Sequence, residues 1–135
     1  MELGKELLTI EVEITGADEV KGTHGEAVML HFTGNCDCEL FHGKVLPGGV
    51  DTQKEFEGEA RTLSARYILE GIDAEGKPCK IFIENNATLN GREAEYTTPR
   101  ILTDSRALAF LEVTELRGTI TPAPKGVTIH ICEEK

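Results

Sequence analysis

The chain has 135 residues, 39% of them hydrophobic and 28% charged, which suits one folded domain with its own core and excludes a disordered tract. Its formal net charge is −10, with thirteen acids against four bases in residues 1–60, so phosphate backbones are repelled and nucleic-acid binding is disfavoured. No apolar run approaches the roughly 20 residues of a membrane helix, and the first residues show no basic segment followed by an apolar one, so the sequence predicts a cytoplasmic protein without membrane contact.

The dominant period is two. Leu8-Thr9-Ile10-Glu11-Val12-Glu13-Ile14-Thr15 alternates aliphatic and polar residues, the pattern of a strand with one buried and one wet face. Gly16-Ala17-Asp18 is expected to end it. A second strand is predicted over Ala27–Thr33, with Gly34-Asn35 as a two-residue hairpin loop leading into Cys36–His42. Leu46-Pro47-Gly48-Gly49 reads as a turn and Val50–Phe56 as a short strand. Arg61–Glu70 alternates again and puts Leu63, Ala65, Tyr67 and Leu69 on one face. Asp73-Ala74-Glu75-Gly76 is a turn, and Cys79–Asn85 is the strand that pairs back. Asn85–Thr98 is polar and predicts a long loop, and Arg100–Thr103 is extended. Ser105–Leu111 predicts one helical turn with Ser105 or Asp104 as its cap. Val113–Ile120 and Val127–Cys132 are the last strands, joined through Pro122-Ala123-Pro124-Lys125-Gly126.

These elements predict a single all-β domain over residues 1–135. The architecture expected is a closed or nearly closed antiparallel β-barrel of eight to ten short strands, with at most one or two short helical turns. Aromatic residues make up only 5% of the chain and Trp is absent, so a base-stacking platform is not expected.

The order of several short motifs carries a resemblance. They are Gly43-Lys44-Val45-Leu46-Pro47-Gly48-Gly49-Val50-Asp51, then Ala65-Arg66-Tyr67, then Glu75-Gly76 followed by Ile81 and Ile83, then Thr98-Pro99 with Thr103-Asp104, and the closing strand Val127–Ile131. In this order the chain resembles the Domain of Unknown Function 3237 family over most of its length. The resemblance implies a β-barrel with a polar-lined interior and brings no agreed activity. Two features depart from the family pattern: Thr52 stands where an aromatic residue is common, and the Cys36-x-Cys38 pair is not a family feature.

Two constellations could carry chemistry. If Gly34-Asn35 makes a hairpin, His31, Cys36, Cys38 and His42 share one side of the sheet, and two thiolates with two imidazoles are a zinc ligand set. Against this, His42 lies about 13 Å along a strand from Cys38, at ~3.3 Å per residue. Small buried thiols are the reading preferred, with no metal and no cofactor, and the four cysteines are expected to be free. Gly48-Gly49 has neither a following Lys nor a helix, so no nucleotide site is expected.

The second constellation is a polar cluster of Asp51, Gln53, Arg66 and Glu84. Asp51 follows two glycines that leave room beside it, and Gln53 shares its face. Arg66 is out of phase with Leu63, Ala65, Tyr67 and Leu69. If it points inward it needs a carboxylate, and Asp51 or Glu84 is the partner expected. Such a pair would bind or polarise a small polar or carbonyl-containing ligand. The function expected is therefore a small-molecule-binding β-barrel, with cyclase- or isomerase-like turnover as an analogy to other small barrels. The alternative is a non-catalytic structural or interaction protein whose barrel is filled by side chains. Val113 and Leu116 fall out of phase on one predicted strand, giving it two apolar faces, and this predicts a homodimer.

Overall fold

The computed structural model describes residues 2–89 and 96–135. The alternating run at Leu8–Thr15 lies inside one long strand, β1 (Leu3–Gly22). Gly16 does not end it. A register shift between Ile14 and Gly16 takes up one extra residue as a bulge, and the ladder with the next strand continues. That strand, β2 (Gly25–Asp37), is also unbroken. The hairpin between them turns at Thr23-His24, with Gly22 opposite Gly25 and Gly25 at φ +149°, a conformation that favours glycine.

The hairpin predicted at Gly34-Asn35 is therefore corrected. Gly34 sits mid-strand opposite Val12, where a Cβ would run into the backbone carbonyl of Glu11. The glycine is required by the close approach of two strands and not by a turn. The remaining strands are β3 (Phe41–Val45), β4 (Val50–Phe56), β5 (Thr62–Asp73), β6 (Pro78–Thr88), β7 (Thr98–Thr103), β8 (Leu116–Ala123) and β9 (Gly126–Glu134). A 3-10 turn, Ala109–Glu112, is the only helical element among the described residues. The predicted loop after Asn85 starts later than expected, since β6 runs to Thr88, and residues 90–95 lie outside the described residues. Val113 lies in the turn after the 3-10 element, so the two-faced strand behind the homodimer expectation does not exist.

All nine strands belong to one antiparallel sheet, in the order β7-β6-β5-β3-β2-β1-β9-β8. β4 shares a lane with β3. Strand β2 pairs β3 through Asn35–Asp37 and β4 through Gly25–His31, and β5 pairs the same two strands at its two ends. The turn Leu46–Gly49 separates them, with Gly48 at φ +108°. The two ends of the sheet meet at one bridge, where Thr97 and Gly118 exchange N–H···O bonds of 2.9 Å in both directions. This contact makes a barrel of eight lanes that is nearly closed.

One half of the bore is packed solid. Leu8, Ile10, Phe41, Leu69, Ile81 and Ile131 are essentially inaccessible, and each fully buried aliphatic side chain contributes roughly 1.5–3 kcal/mol. Leu108 and Leu111, on the segment around the 3-10 turn, join this cluster. Ser105 holds the segment: its Oγ donates to Asp73 Oδ2 at 2.7 Å and accepts the Leu108 N–H at 3.2 Å. Asp73 Oδ1 also accepts the N–H groups of Glu75 and Lys77, so one buried carboxylate ties the β5–β6 turn to the plug. Ser105 thus closes the turn that leads into the 3-10 element, while the residue at that element's own N-cap is Leu108, which makes no side-chain cap bond, so neither Ser105 nor Asp104 is the cap expected.

Candidate ligand cavity

The other half of the bore is open. A cavity of about 430 Å³ is walled by side chains of β1, β2, β4, β5, β6, β8 and β9, among them Phe32, Asp51, Gln53, Ala65, Asn85 and Ile129. Ile14 and Ile120, both partly exposed, also line it. Most of the wall is apolar, and the polar groups are few and grouped, the usual composition of a small-molecule pocket.

Their grouping follows from register. Asp51 of β4 pairs with Ala65 of β5, and Ala65 pairs with Asn85 of β6. Paired residues of neighbouring strands point to the same face, so Asp51, Ala65 and Asn85 form one row across three inward-facing lanes. The methyl of Ala65 leaves a gap between the carboxyl and the amide. Asp51 Oδ2 accepts a hydrogen bond from Gln53 Nε2 at 2.9 Å, and Gln53 Oε1 accepts one from Arg61 Nε at 3.3 Å. Asp51 Oδ1 and Asn85 Oδ1 are buried and have no partner among the described residues. Burial raises the Asp51 carboxyl above its usual range; the Gln53 bond and the Arg61 charge oppose this without cancelling it. One layer further in, Tyr67 packs edge-on against Phe32 with ring centroids 5.2 Å apart, and its buried hydroxyl also has no partner among the described residues.

Of the four residues singled out in the sequence, the structure brings Asp51 and Gln53 together in the cavity and excludes the other two from it. Arg66 does not meet Asp51. It pairs with Val50 on one side and Glu84 on the other, one residue out of step with the Asp51–Ala65 row, and so points outward. Its Nε lies 3.9 Å from Glu84 Oε2 in a partly exposed cross-strand pair. The cation beside the Asp51 network is Arg61, and the second polar group on the wall is Asn85. Asn85 was legible: it continues the inward series Cys79, Ile81, Ile83 by two residues, all four buried. Arg61 was legible as well: it stands two residues before Leu63, in phase with the inward series Leu63, Ala65, Tyr67 and Leu69.

An outer hollow of about 560 Å³ lies on the opposite side of the same strands, beside Arg66, Thr52, Lys54 and Asn86. None of the buried unpaired polar atoms belongs to its lining residues. The larger space thus lacks the unmet hydrogen-bonding need of the smaller one.

The zinc constellation also separates. His31 points out from β2, with Nε2 2.8 Å from Asp18 Oδ2, and His42 on β3 is bonded to Asp37. Cys36 is buried in the core, with its Sγ 3.4 Å from Cys38 Sγ, and burial pushes its thiol well above the usual range. Without the Gly34-Asn35 hairpin, nothing turns the two imidazoles toward the two thiols. Among the described residues no helix is long and apolar enough to cross a membrane.

No family model matches the chain, and no curated protein matches it. Solved structures do. The fold is similar to a protein of unknown function from Clostridium acetobutylicum ATCC 824, at 21% identity and TM-score 0.77, covering 96% of each chain. It is similar to a β-barrel-like protein from Acinetobacter baumannii AYE, at 17% identity and TM-score 0.76, covering 99% of this chain and 96% of that one. It is also similar to an enzyme from Penicillium herquei, at 14% identity and TM-score 0.72, covering 96% of this chain and 92% of that one. These likenesses establish the β-barrel fold.

Proposed function

We propose that this protein binds a small, mainly apolar molecule carrying a carbonyl together with a hydrogen-bond donor such as a hydroxyl, held in the bore with these groups between Asp51 and Asn85. The observation that supports this reading is the pair of buried, unpaired Oδ1 atoms on the wall of one cavity. Leaving such groups unpaired costs roughly 1–3 kcal/mol each, and a ligand hydroxyl or N–H donating to the Asn85 oxygen would relieve part of the cost. Burial favours the protonated form of the Asp51 carboxyl, and in that form it would donate to a ligand carbonyl and could transfer the same proton. Cyclase- or isomerase-like chemistry, in which a proton is delivered at one atom and removed at another, would suit such a group.

The Pro47-Gly48-Gly49-Val50-Asp51 segment supports assigning the chain to the Domain of Unknown Function 3237 family: its turn sets β4 so that Asp51 faces the bore. The four free thiols are consistent with a cytoplasmic setting. The second reading, a filled structural barrel, draws on the packed half of the bore.

The test uses the neutral naphthyl ketone dye prodan together with untargeted mass spectrometry of small molecules that copurify. A ligand barrel predicts saturable binding of one dye per chain with a blue-shifted emission, weakened in Asp51→Leu. No saturable binding and no copurifying molecule would favour the filled barrel.

A further inference from the structure

The outer wall formed by β5, β6 and β7 carries an exposed apolar row between two rows of charges, which among the described residues pair only within their own row. Ile68 pairs with Phe82 and Phe82 with Leu102, so three apolar side chains form a row on the outside of the barrel. Ile68 is 40% and Leu102 62% exposed, with Phe82 half-buried between them. On one side of this row stand Arg66, Glu84 and Arg100, again register partners. On the other stand Glu70 and Lys80, which pair, and Asp104, whose backbone N–H and Oδ1 both bond the backbone of Lys80. The flanks therefore read plus, minus, plus and minus, plus, minus. The six charges cancel locally on a chain whose net charge is −10.

We propose that this wall is the interface of a face-to-face homodimer whose two-fold axis lies in the plane of the sheet and runs across the three strands. A two-fold interface must be complementary to itself. This axis lays each strand over its own copy in reverse. Ile68, Phe82 and Leu102 meet their own counterparts. Arg66 falls over Glu70 of the second copy, Glu84 over Lys80, and Arg100 over Asp104, so every contact is between opposite charges. An axis along the strands sets Arg66 over Arg100 and Glu84 over Glu84, and like charges forbid it. The charge pattern thus selects both the partner, a second copy of this chain, and its orientation. A convex wall offers only about three lanes, short of the roughly 800 Å² per partner of a standard interface, so the dimer is a reversible one.

Sedimentation velocity over about 1–500 µM, the range that small interfaces require, reads the association. The wild-type chain is expected to shift from monomer to dimer, less so at high salt. Glu84→Lys sets a lysine against Lys80 of the second copy, and Lys80→Glu sets a glutamate against Glu84. Each variant alone is expected to dimerise at least tenfold more weakly, the effect of turning exposed attractions into repulsions. An equimolar mixture of the two is expected to recover a heterodimer, as is the doubly substituted chain with itself. Circular dichroism confirms that each variant is folded, and recovery on mixing cannot come from a change in fold stability. A wild-type monomer throughout the range, or a dimer indifferent to both substitutions, overturns the proposal.

Discussion

Asp51 and Asn85 stand on either side of Ala65 in one row across β4, β5 and β6, each with its Oδ1 buried and without a partner among the described residues. The gap between them exists because the residue in the middle is an alanine. Ala65→Leu should fill it. Prodan affinity is expected to fall at least tenfold, as a branched side chain occupies the ligand's place. The urea midpoint should stay within about 1 kcal/mol of wild type, since the added methylenes enter a cavity and not a packed core. Unchanged dye binding would place the ligand elsewhere.

Asp51 makes stability depend on pH in an unusual direction. Its carboxyl is raised above the usual aspartate value of 3.8, chiefly by burial. The folded state therefore holds the proton more tightly than the unfolded state. Its contribution to stability falls as pH rises from 3.8 to the raised value, and stays at the lower level above it. Asp51→Asn should flatten this part of the profile and stabilise the protein at pH 7 by on the order of 1 kcal/mol, as removal of a strained functional group often does. Urea titrations at several pH values check this, and a variant less stable at neutral pH would contradict it.

Arg66 should be energetically quiet in the monomer. It is a partly exposed partner of Glu84 and has no contact with the cavity row. Arg66→Met is expected to change stability by less than about 0.5 kcal/mol at low protein concentration. Combined with Asp51→Asn it should be additive, because the two side chains lie on opposite faces of the sheet. A coupling above about 1 kcal/mol would show a contact that the register forbids.

Gly71 faces Gly43 across the β3–β5 ladder. A Cβ on Gly71 would collide with the carbonyl of His42 and the Cα of Gly43, both of them backbone atoms with no freedom to turn away. Gly71→Ala should cost about 2 kcal/mol or more in the urea midpoint. Gly16→Ala is the matched control: nothing lies within 4 Å of its Cβ position, and a change within about 1 kcal/mol is expected. Equal effects at the two sites would show that chain entropy, and not the crossing, governs Gly71.

The residues alone determined the fold class and much of the local geometry. Period-two alternation identified β5 and put Leu63, Ala65, Tyr67 and Leu69 on the buried face, and Pro47-Gly48-Gly49 placed the turn from which β4 begins at Val50. It also put Asp51 and Gln53 on one face, because side chains two apart in a strand always share one. Alternation says which residues keep company, but it does not say which lane lies beside which. That is set by pairing between distant segments. The register of Asp51 with Ala65, and of Val50 with Arg66, turned the carboxylate into the bore and the guanidinium out of it. The glycine at position 34 reads locally as a turn and is in fact the point where β1 and β2 cross closely, a need created by the partner strand. The cavity itself belongs to no segment: it exists because seven strands contribute side chains around a bore that the Thr97–Gly118 bridge closes.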